Sequence, residues 1–454
     1  MKALLFWFLA LTIAPSVLAQ SASVTWTTTY QTMNGWGAST GYQERNPNLT
    51  AALADCFFLA TGGSCSSSMG NIGLEWIRVQ DNTDVNSAPD APTLLLAVAR
   101  GAQVMWSFDG GAGLNSSNYA SQAAYEVAKI QYVKGLGIPI AAISPINEPN
   151  TTSSSPADVD TFIATYLHPA MVAAGLNIPL VMPEFPVWFT TDFVTPCMED
   201  ANCKPYVGAV AGHAYGGGTV DGFGPVAGVA CCTTYATNPV PSAAAGEPVW
   251  MTEAEGGFSG PCTTDPSATI ADNSMADALV WAHNIHDFLT VAGGSNWMYW
   301  NLADESDHPL PDCNDGLTTS TYTPAQRYYA VGNWSKFVRN GWVRIDATAS
   351  PASGIYVTAF KDSSSGNFAI VAINQNSSPA TVSYSLAAFP SVTSVTPTVT
   401  SASIDLVDQA NVTVSGGAFS YTLPATSVTT FRGNASASSP TIPLPPTNLT
   451  ESVH

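Results

Sequence analysis

Two glutamates, Glu148 and Glu253, each come at the end of a short apolar run of the kind that forms a buried strand. The first lies within Ser144–Asn150 and the second closes Trp250–Glu253. Hydrolysis of a glycosidic bond requires two carboxyl groups, because one protonates the leaving oxygen and the other attacks the sugar or activates water. The sequence therefore predicts a glycosidase with Glu148 and Glu253 as its catalytic residues.

Short apolar runs that end in polar or glycine-rich loops alternate with helical patterns, which is typical of β/α units around a parallel sheet. The predicted strands are Asn34–Ala38, Leu74–Val79, Gln103–Phe108, Ala141–Ser144, Leu180–Met182, Val207–His213, Val249–Thr252 and Trp297–Trp300. Helical patterns at Ala123–Leu136 and Met275–Leu289 follow two of them. This order predicts an α/β fold, a (β/α)8 TIM barrel whose strand ends bring the candidate residues to one face.

The pattern changes after residue 340 to alternating Val, Thr, Ser and Tyr, as in Gly354–Phe360 and Phe368–Ile373. Alternation with a period of two predicts a C-terminal antiparallel β-sandwich. We therefore divide the chain into a signal peptide (1–19), a catalytic barrel (20–340), a side domain (341–434) and a flexible Ser/Pro/Thr-rich tail (435–454).

The N-terminus has the pattern of a secretory signal peptide. Lys2 precedes an apolar stretch that runs from Ala3 to Ile13, and small residues lead to a cleavage site after Ala19. That stretch is shorter than the roughly 20 apolar residues of a membrane helix, and no later segment supplies them. We expect a secreted, extracellular protein with no membrane partner.

The eight cysteines are an even number, as expected of disulfides in an oxidising compartment. Cys56 with Cys65 and Cys197 with Cys203 are close enough in sequence to close single loops. The sequence leaves three possible pairings among the other four cysteines, which are Cys231, Cys232, Cys262 and Cys313. A metal cluster is the alternative, but no CxxC pair supports it. His283 and His286 lie three apart on a predicted helix without a third ligand, so we expect no metal and no cofactor.

Composition limits the partners. Only 13 basic residues oppose 33 acidic ones, which gives a formal net charge of −20 and disfavours nucleic acid and anionic membranes. We expect a monomer that acts on a polysaccharide. In a eukaryotic secretory pathway eight sequons would carry glycans, at Asn48, Asn115, Asn150, Asn333, Asn376, Asn411, Asn434 and Asn448.

Three segments at predicted strand ends, Asn147–Pro149, Gly212–Gly216 and Met251–Glu253, resemble the catalytic-strand pattern of glycoside hydrolase family 30. The segment Tyr328–Arg339, followed by Val343–Asp346, resembles that family's junction between barrel and side sandwich. Together these segments span nearly the whole mature chain. The resemblance implies a retaining β-glycanase of the barrel clan.

The resemblance also implies roles for individual residues. Glu148 would be the general acid/base and Glu253 the nucleophile. Asn147 would hydrogen-bond the sugar 2-hydroxyl, and Tyr215 would donate to the nucleophile. Arg78, on the second barrel strand, would supply positive charge near Glu253.

Other residues are weighed from their positions alone. His213 either lines the cleft or packs within its strand, and the sequence does not choose between these two roles. Trp106 and Trp300, at predicted strand ends, are candidates for stacking on a sugar ring. Three isolated glutamates are interpreted as capping or salt-bridge residues, namely Glu75, Glu184 and Glu255.

The substrate is the least determined feature. The loop Asn301–His308, after the last barrel strand, contains Asp304, Glu305 and Asp307 but no Arg or Lys. Some family 30 xylanases bind a glucuronic-acid branch there through basic side chains, so this loop predicts that such a branch is not required. Arg45, after the first strand, offers an alternative carboxylate site.

We therefore expect a neutral β-linked wall polysaccharide, with β-1,4-xylan first and a β-1,6-linked galactan or glucan second. A glucuronoxylanase or xylobiohydrolase that uses Arg45 is a further alternative. A non-catalytic carbohydrate-binding protein on the same barrel is the alternative from another class, and the presence of both glutamates favours the enzyme.

Overall fold

The structure, a computed structural model, describes residues 20–41, 48–111, 113–185, 192–214, 244–254, 273–304, 314 and 316–435. Eight parallel strands form a closed barrel in chain order. They are β2 Gly35–Ser39, β3 Trp76–Asp81, β4 Gln103–Phe108, β5 Ile140–Ser144, β6 Leu180–Phe185, β7 Val207–His213, β8 Val249–Glu253 and β9 Asn296–Tyr299. Each overlaps a predicted strand, so the predicted TIM barrel is confirmed.

Helices alternate with these strands around the barrel. They are α1 Ala51–Phe58, α2 Ala91–Val98, α3 Tyr119–Gly135, α4 Pro156–Thr161, a π-helical segment Phe162–Leu167, α5 His168–Ala173, α6 Thr195–Glu199, a 3-10 turn Lys204–Tyr206, α7 Met275–Thr290 and α8 Gln326–Ser335. Side chains near the helix N-termini determine where two of these helices begin. Ser155 and Asp158 form a capping box at α4, and the Ser274 side chain accepts from the Asp277 N–H at α7.

The barrel strands place alternate residues in two separate cores. One core fills the barrel interior with Trp76, Met105, Ala142, Val181, Ala209, Ala211, Trp250 and Met298. The other lies between the barrel wall and the surrounding helices and includes Val104, Trp106 and Ile143. Because the interior is packed with apolar side chains, polar groups that face inward can collect only at the open end of the strands.

A second sheet of ten strands forms the side domain. Its strands are β1 Gln20–Thr32, β12 Val343–Ala347, β13 Ile355–Lys361, β14 Asn367–Asn374, β15 Ala380–Ala387, β16 Ser394–Ser401, β17 Ile404–Asp408, β18 Val412–Thr413, β19 Ala418–Leu423 and β20 Ser427–Asn434. Tyr384 and Phe419 are paired on neighbouring strands at one end of the sheet order, whereas Phe431 lies on β20 towards the other end, yet its ring lies within 5.1 Å of both. The sheet therefore folds over its own core, as a sandwich does. A small parallel pair, β10 Asn301–Ala303 and β11 Gly316–Thr318, lies beside the barrel.

The structure differs from the predicted division at two points. Strand β1, assigned to the barrel segment 20–340, pairs with β12 and β15 in the sandwich sheet. Ala22 and Val24 are buried in the sandwich core, and the β1–β15 pair is parallel in an otherwise antiparallel sheet. Ala435, assigned to the tail, is buried, and its N–H donates to the Gly366 carbonyl. Residues 436–454 lie outside the described part of the chain.

Helix α8 joins the barrel to the sandwich through buried polar contacts. Asn333 Nδ2 donates to Thr400 Oγ1 at 2.7 Å, and Thr430 Oγ1 donates to the Asn333 carbonyl at 2.7 Å. The Trp334 indole donates to Thr358 Oγ1 at 3.2 Å. Asn333 is fully buried, so its sequon cannot be glycosylated in the folded protein, contrary to the sequence prediction.

Both short-range disulfides predicted from the sequence are present, Cys56–Cys65 and Cys197–Cys203. The other four cysteines lie outside the described residues. Glu75 contacts Arg339 Nη2 at 3.2 Å, which agrees with its interpretation as a salt-bridge residue. Among the described helices, none is long and apolar enough to cross a membrane.

Candidate active site

Charged side chains from five barrel strands or their following loops meet at the open end of the barrel, around Arg78. This arginine is fully buried on β3. Its Nε lies 2.9 Å from Glu184 Oε1, and its Nη1 lies 2.9 Å from Glu253 Oε2. Its Nη2 donates to Asn147 Oδ1 at 2.8 Å and to Ser107 Oγ at 3.3 Å. Arg78 therefore fixes two carboxylates and one amide relative to each other.

His213, at the end of β7, faces three carboxylates. Its Nδ1 lies 2.9 Å from Glu148 Oε1, while its Nε2 lies 3.5 Å from Glu184 Oε1 and 3.6 Å from Glu253 Oε2. Burial alone would lower the pKa of His213, but the charge of Glu253 and the hydrogen bonds to Glu148 and Glu184 outweigh it and raise the pKa to about 9. The imidazole is therefore a cation at neutral pH, and it lines the site rather than packing within its strand.

Glu184, at the end of β6, is the most enclosed of the three carboxylates. Its side chain is fully buried and accepts from Arg78 Nε and from Ser107 Oγ. Burial alone would raise the pKa of its carboxyl, but Arg78 and His213 outweigh that effect and hold the pKa well below its usual range. Glu184 is therefore ionised in the folded protein.

Irregular backbone aims these side chains into the site. On β8 the register with β7 shifts after Met251, so Glu253 rather than Thr252 lies opposite His213. Glu148 and Glu184 have φ values of 44° and 51°, a left-handed conformation that is uncommon for residues other than glycine. The Glu148 N–H donates to the Glu184 carbonyl at 3.1 Å, and this hydrogen bond links the two left-handed residues. Such positions cluster at functional sites.

The side-chain exposures differ between the two predicted catalytic glutamates. The Glu148 side chain is 21% exposed and Glu253 is 7% exposed, whereas Arg78, Glu184 and His213 have no exposed side-chain area. One oxygen of Glu148, one of Glu253 and a His213 ring nitrogen lie within 4.8 Å of one another. The two glutamates therefore reach a common space at the mouth of the barrel, with Glu148 nearer to solvent.

Apart from a group that contains the disulfide-bonded Cys197 and Cys203, two groups of the described side chains have the composition of a metal site. In the first, Glu148, His213 and Glu253, the cations Arg78 and His213 already neutralise the carboxylates, which disfavours a metal ion there. In the second, His283, His286 and Asp287, the ligand atoms also lie within 4.8 Å. The latter group lies on α7, and His286 Nε2 faces the Ala349 carbonyl at 3.1 Å, so it contributes to the contact with the sandwich.

The structure places the predicted sugar-stacking tryptophans differently. The prediction that Trp106 stacks on a sugar is wrong, because this side chain is 1% exposed and lies in the core outside the barrel wall. Lys129 of α3 lies 5.9 Å from its ring. Its neighbours Met105 and Ser107 face the interior instead. Trp300 lies at the site, with its ring 5.8 Å from Arg78 Cζ, and stays a stacking candidate.

Several predicted residues lie outside the described part of the chain. They are Arg45, Tyr215, Glu255 and the loop acids Glu305 and Asp307. Asp304 is described and is 8% exposed. Sequence reasoning missed Ser107 entirely and assigned Glu184 an ordinary salt bridge. The period-two alternation of β4 could have found Ser107, since it faces the same way as Met105.

A cavity of about 440 Å³ opens beside the site, between the loops after β3 and β4. Phe108 is one of its lining residues, and the Phe108 carbonyl accepts from the Asn147 backbone N–H at 2.6 Å, so the cavity lies next to the predicted sugar-binding residue. Its lining includes Asp81, Asn82, Asp84, Asp109, Gln122 and Tyr125. The Asp81 carboxylate pairs with Lys129 at 3.1 Å, but Asp84 and Asp109 leave the lining acidic, so the cavity is unfavourable for an acidic ligand.

Comparison with known proteins gives consistent relatives. Residues 341–431 match the glycosyl hydrolase family 30 beta sandwich domain. Glucuronoxylanase XynC of Bacillus subtilis (strain 168) is 27% identical over 325 residues, which are 70% of this chain and 67% of that protein. The family 30 subfamily 8 xylanase Xyn30A from Clostridium acetobutylicum aligns with a TM-score of 0.72 and 25% identity, covering 92% of this chain and 100% of that one. A family 30 endoxylanase from Clostridium papyrosolvens C71 aligns with a TM-score of 0.70 and 24% identity, over 91% and 100%.

Proposed function

We propose that this chain is a retaining β-1,4-xylanase of glycoside hydrolase family 30. The observation that carries the mechanism is the proximity of Glu148 and Glu253, which have carboxylate oxygens within 4.8 Å of each other. Retaining glycosidases hold their two carboxyl groups about 5 to 5.5 Å apart, whereas inverting enzymes separate them by about 6.5 to 9.5 Å to admit a water.

In the first step, Glu253 attacks the anomeric carbon while Glu148 donates its proton to the glycosidic oxygen, and the bond between that carbon and oxygen breaks. Arg78, 2.9 Å from Glu253, favours the ionised nucleophile. Glu148 suits the acid position because its partly exposed side chain can reach the departing sugar. Asn147, held by Arg78, is placed to hydrogen-bond the 2-hydroxyl of the reacting sugar.

In the second step, Glu148 takes a proton from a water molecule, whose oxygen attacks the anomeric carbon and releases Glu253 as a carboxylate. Two inversions at the same carbon leave the β configuration unchanged. Tyr215 remains a proposed donor to the nucleophile, and Trp300 a proposed stacking partner of the sugar.

Two observations support xylan as the substrate. The first observation is that the relatives named above are xylanases. The second is that the acidic cavity beside Asn147 suits an uncharged sugar chain. A glucuronoxylanase is the second candidate, because the Bacillus subtilis relative carries that description. We favour cleavage without a required glucuronic-acid branch, since Asp84 and Asp109 would repel its carboxylate in this cavity.

Release of reducing sugar from a panel of glycans tests this proposal. We expect activity on linear β-1,4-xylan, less on β-1,6-galactan and β-1,6-glucan, and none in Glu253→Ala on any of them. Rates on linear xylo-oligosaccharides should equal or exceed those on the same chains with one glucuronosyl branch. A strong preference for the branched chains that disappears in Arg45→Ala would instead support the glucuronoxylanase.

We also propose that the protein is secreted after cleavage behind Ala19. Strand β1, Gln20–Thr32, follows this site directly, so cleavage there keeps every described residue of the sandwich sheet. N-terminal sequencing of the protein from culture medium should begin at Gln20. A mature N-terminus within β1 would contradict this site.

A further inference from the structure

One buried charge in the site, Glu184, has no part in the two chemical steps described above. Its side chain is fully buried yet ionised, and taking an isolated carboxylate out of water is strongly unfavourable. Buried charges of this kind are retained only with matched partners. Its partners here are the two cations of the site and the Ser107 hydroxyl.

Glu184 reaches both proposed catalytic residues through those cations. Arg78 joins it to Glu253, with 2.9 Å on each side of the guanidinium. His213 joins it to Glu148, with 3.5 Å on the Glu184 side and 2.9 Å on the Glu148 side. The Glu184 carbonyl also accepts from the Glu148 N–H at 3.1 Å.

We infer that Glu184 is a positioning residue, which fixes Arg78 and His213 and through them orients the nucleophile Glu253 and the acid/base Glu148. This inference rests on the proposed function for the roles of those two glutamates. Among the described residues, the carboxylates that face His213 are Glu148, Glu184 and Glu253, from three different strand ends, and Arg78 lies behind the latter two.

The charge balance explains why a third carboxylate is needed. Arg78 and His213 carry two positive charges, and Glu184 and Glu253 are two buried carboxylates that each contact both cations. Without Glu184, Glu253 would be the one of these two carboxylates left between the cations. A carboxylate under a stronger positive field is a weaker nucleophile, because its charge is stabilised in the ground state.

Glu184→Gln removes the charge with little change of shape. The amide oxygen can accept from Arg78 Nε, and the amide nitrogen can donate to Ser107 Oγ, so we expect a folded protein. Glu126→Gln is the matched control, since Glu126 is also fully buried but contacts Gln122 on α3, at 3.0 Å. Burial raises the pKa of Glu126 well above its usual range, which favours the neutral carboxyl, and Glu126→Gln should therefore behave as wild type.

Two measurements separate positioning from general stability. With labelled histidine, the six His rings are titrated by NMR, and the His213 signal is assigned by its loss in His213→Gln. We expect the pKa of His213 to fall by about one pH unit or more in Glu184→Gln and to stay at the wild-type value in Glu126→Gln. Steady-state kinetics on linear xylo-oligosaccharides should show kcat lowered roughly 100-fold, with KM changed less than about threefold.

An unchanged His213 titration and an unchanged kcat in folded Glu184→Gln would overturn the inference. If that variant does not fold, Glu184→Asp replaces it. That variant retains the charge but shortens the side chain, so His213 should still titrate high while kcat falls, and a wild-type kcat would overturn the inference. The NMR titration needs no turnover, so a failure of the proposed xylanase activity would be seen separately, as absent turnover in the wild-type protein.

Discussion

At the scale of single residues, the two glutamates found from strand-end spacing lie at a common site, whereas their surroundings were only partly predictable. Asn147 and Arg78 were proposed from the family resemblance, and the structure places them 2.8 Å apart, beside Glu253. The third carboxylate at His213 was not predicted, because Glu184 ends a strand with no matching motif around it and was interpreted as a capping or salt-bridge residue.

The proposed division of labour between the two glutamates gives the first prediction. Glu148→Ala should still form the glycosyl-enzyme from dinitrophenyl glycosides, because that leaving group needs no protonation, and azide should restore part of its turnover. Glu253→Ala should lose turnover on every substrate. Release of dinitrophenol with and without azide measures both variants. Equal losses in the two variants on the activated substrate would contradict these roles.

The raised pKa of His213 predicts how stability depends on pH. A group whose pKa is higher in the folded protein stabilises it below the unfolded value of 6.5, and this contribution is lost as pH rises through about 9. A difference of one pH unit between the folded and unfolded pKa corresponds to about 1.4 kcal/mol. Urea unfolding should therefore give a free energy that decreases between pH 6.5 and 9, and less steeply in His213→Gln. The same slope in both proteins would refute the cationic imidazole.

At the scale of elements, strand positions were predictable and the aim of particular side chains was not. Short apolar runs located all eight barrel strands, since a buried parallel strand needs little else. The face of Trp106 was predicted wrongly because its position at a strand end was considered without the alternation that points Met105 inward. The direction of Glu253 depends on a register shift between β7 and β8, which no local pattern signals.

The disulfide that follows α1 gives the prediction at this scale. Cys56 is buried on the helix, and its bond to Cys65 closes a loop with a sequence separation of 9 residues. The chain-entropy account assigns a loop of this size about 2 to 3 kcal/mol of stability. The double variant Cys56→Ala/Cys65→Ala should lose about that much free energy of unfolding in urea, with kcat unchanged. A change in kcat would show that this loop influences the site.

At the scale of the whole molecule, the side domain was predictable from its alternating sequence, but its extent was not. Strand β1 has the same alternation as the other sandwich strands. Its pattern therefore predicts a strand but does not indicate which sheet that strand joins. Pairing β1 with β15 brings together segments separated by most of the chain. The barrel is thus inserted between two parts of the sandwich sheet.

This topology predicts that barrel and sandwich unfold together. The barrel's α8 is buried against β16 and β20, and Asn333 satisfies polar groups of both strands. Calorimetry should show one transition with equal calorimetric and van't Hoff enthalpies. Asn333→Ala should lower the melting temperature by a few degrees, since the buried Thr400 hydroxyl loses the amide that donates to it and Thr430 keeps only the backbone carbonyl of residue 333. Two separate transitions in the wild-type protein would contradict a single cooperative unit.

The proposed double displacement by Glu253 and Glu148 is tested most directly by the anomer that is released first. Proton NMR during early hydrolysis of a linear xylo-oligosaccharide distinguishes the α and β anomers of the product before mutarotation mixes them. We expect the β anomer, because two inversions restore the original configuration. The α anomer as first product would show a single displacement and would contradict the assignment of Glu253 as nucleophile.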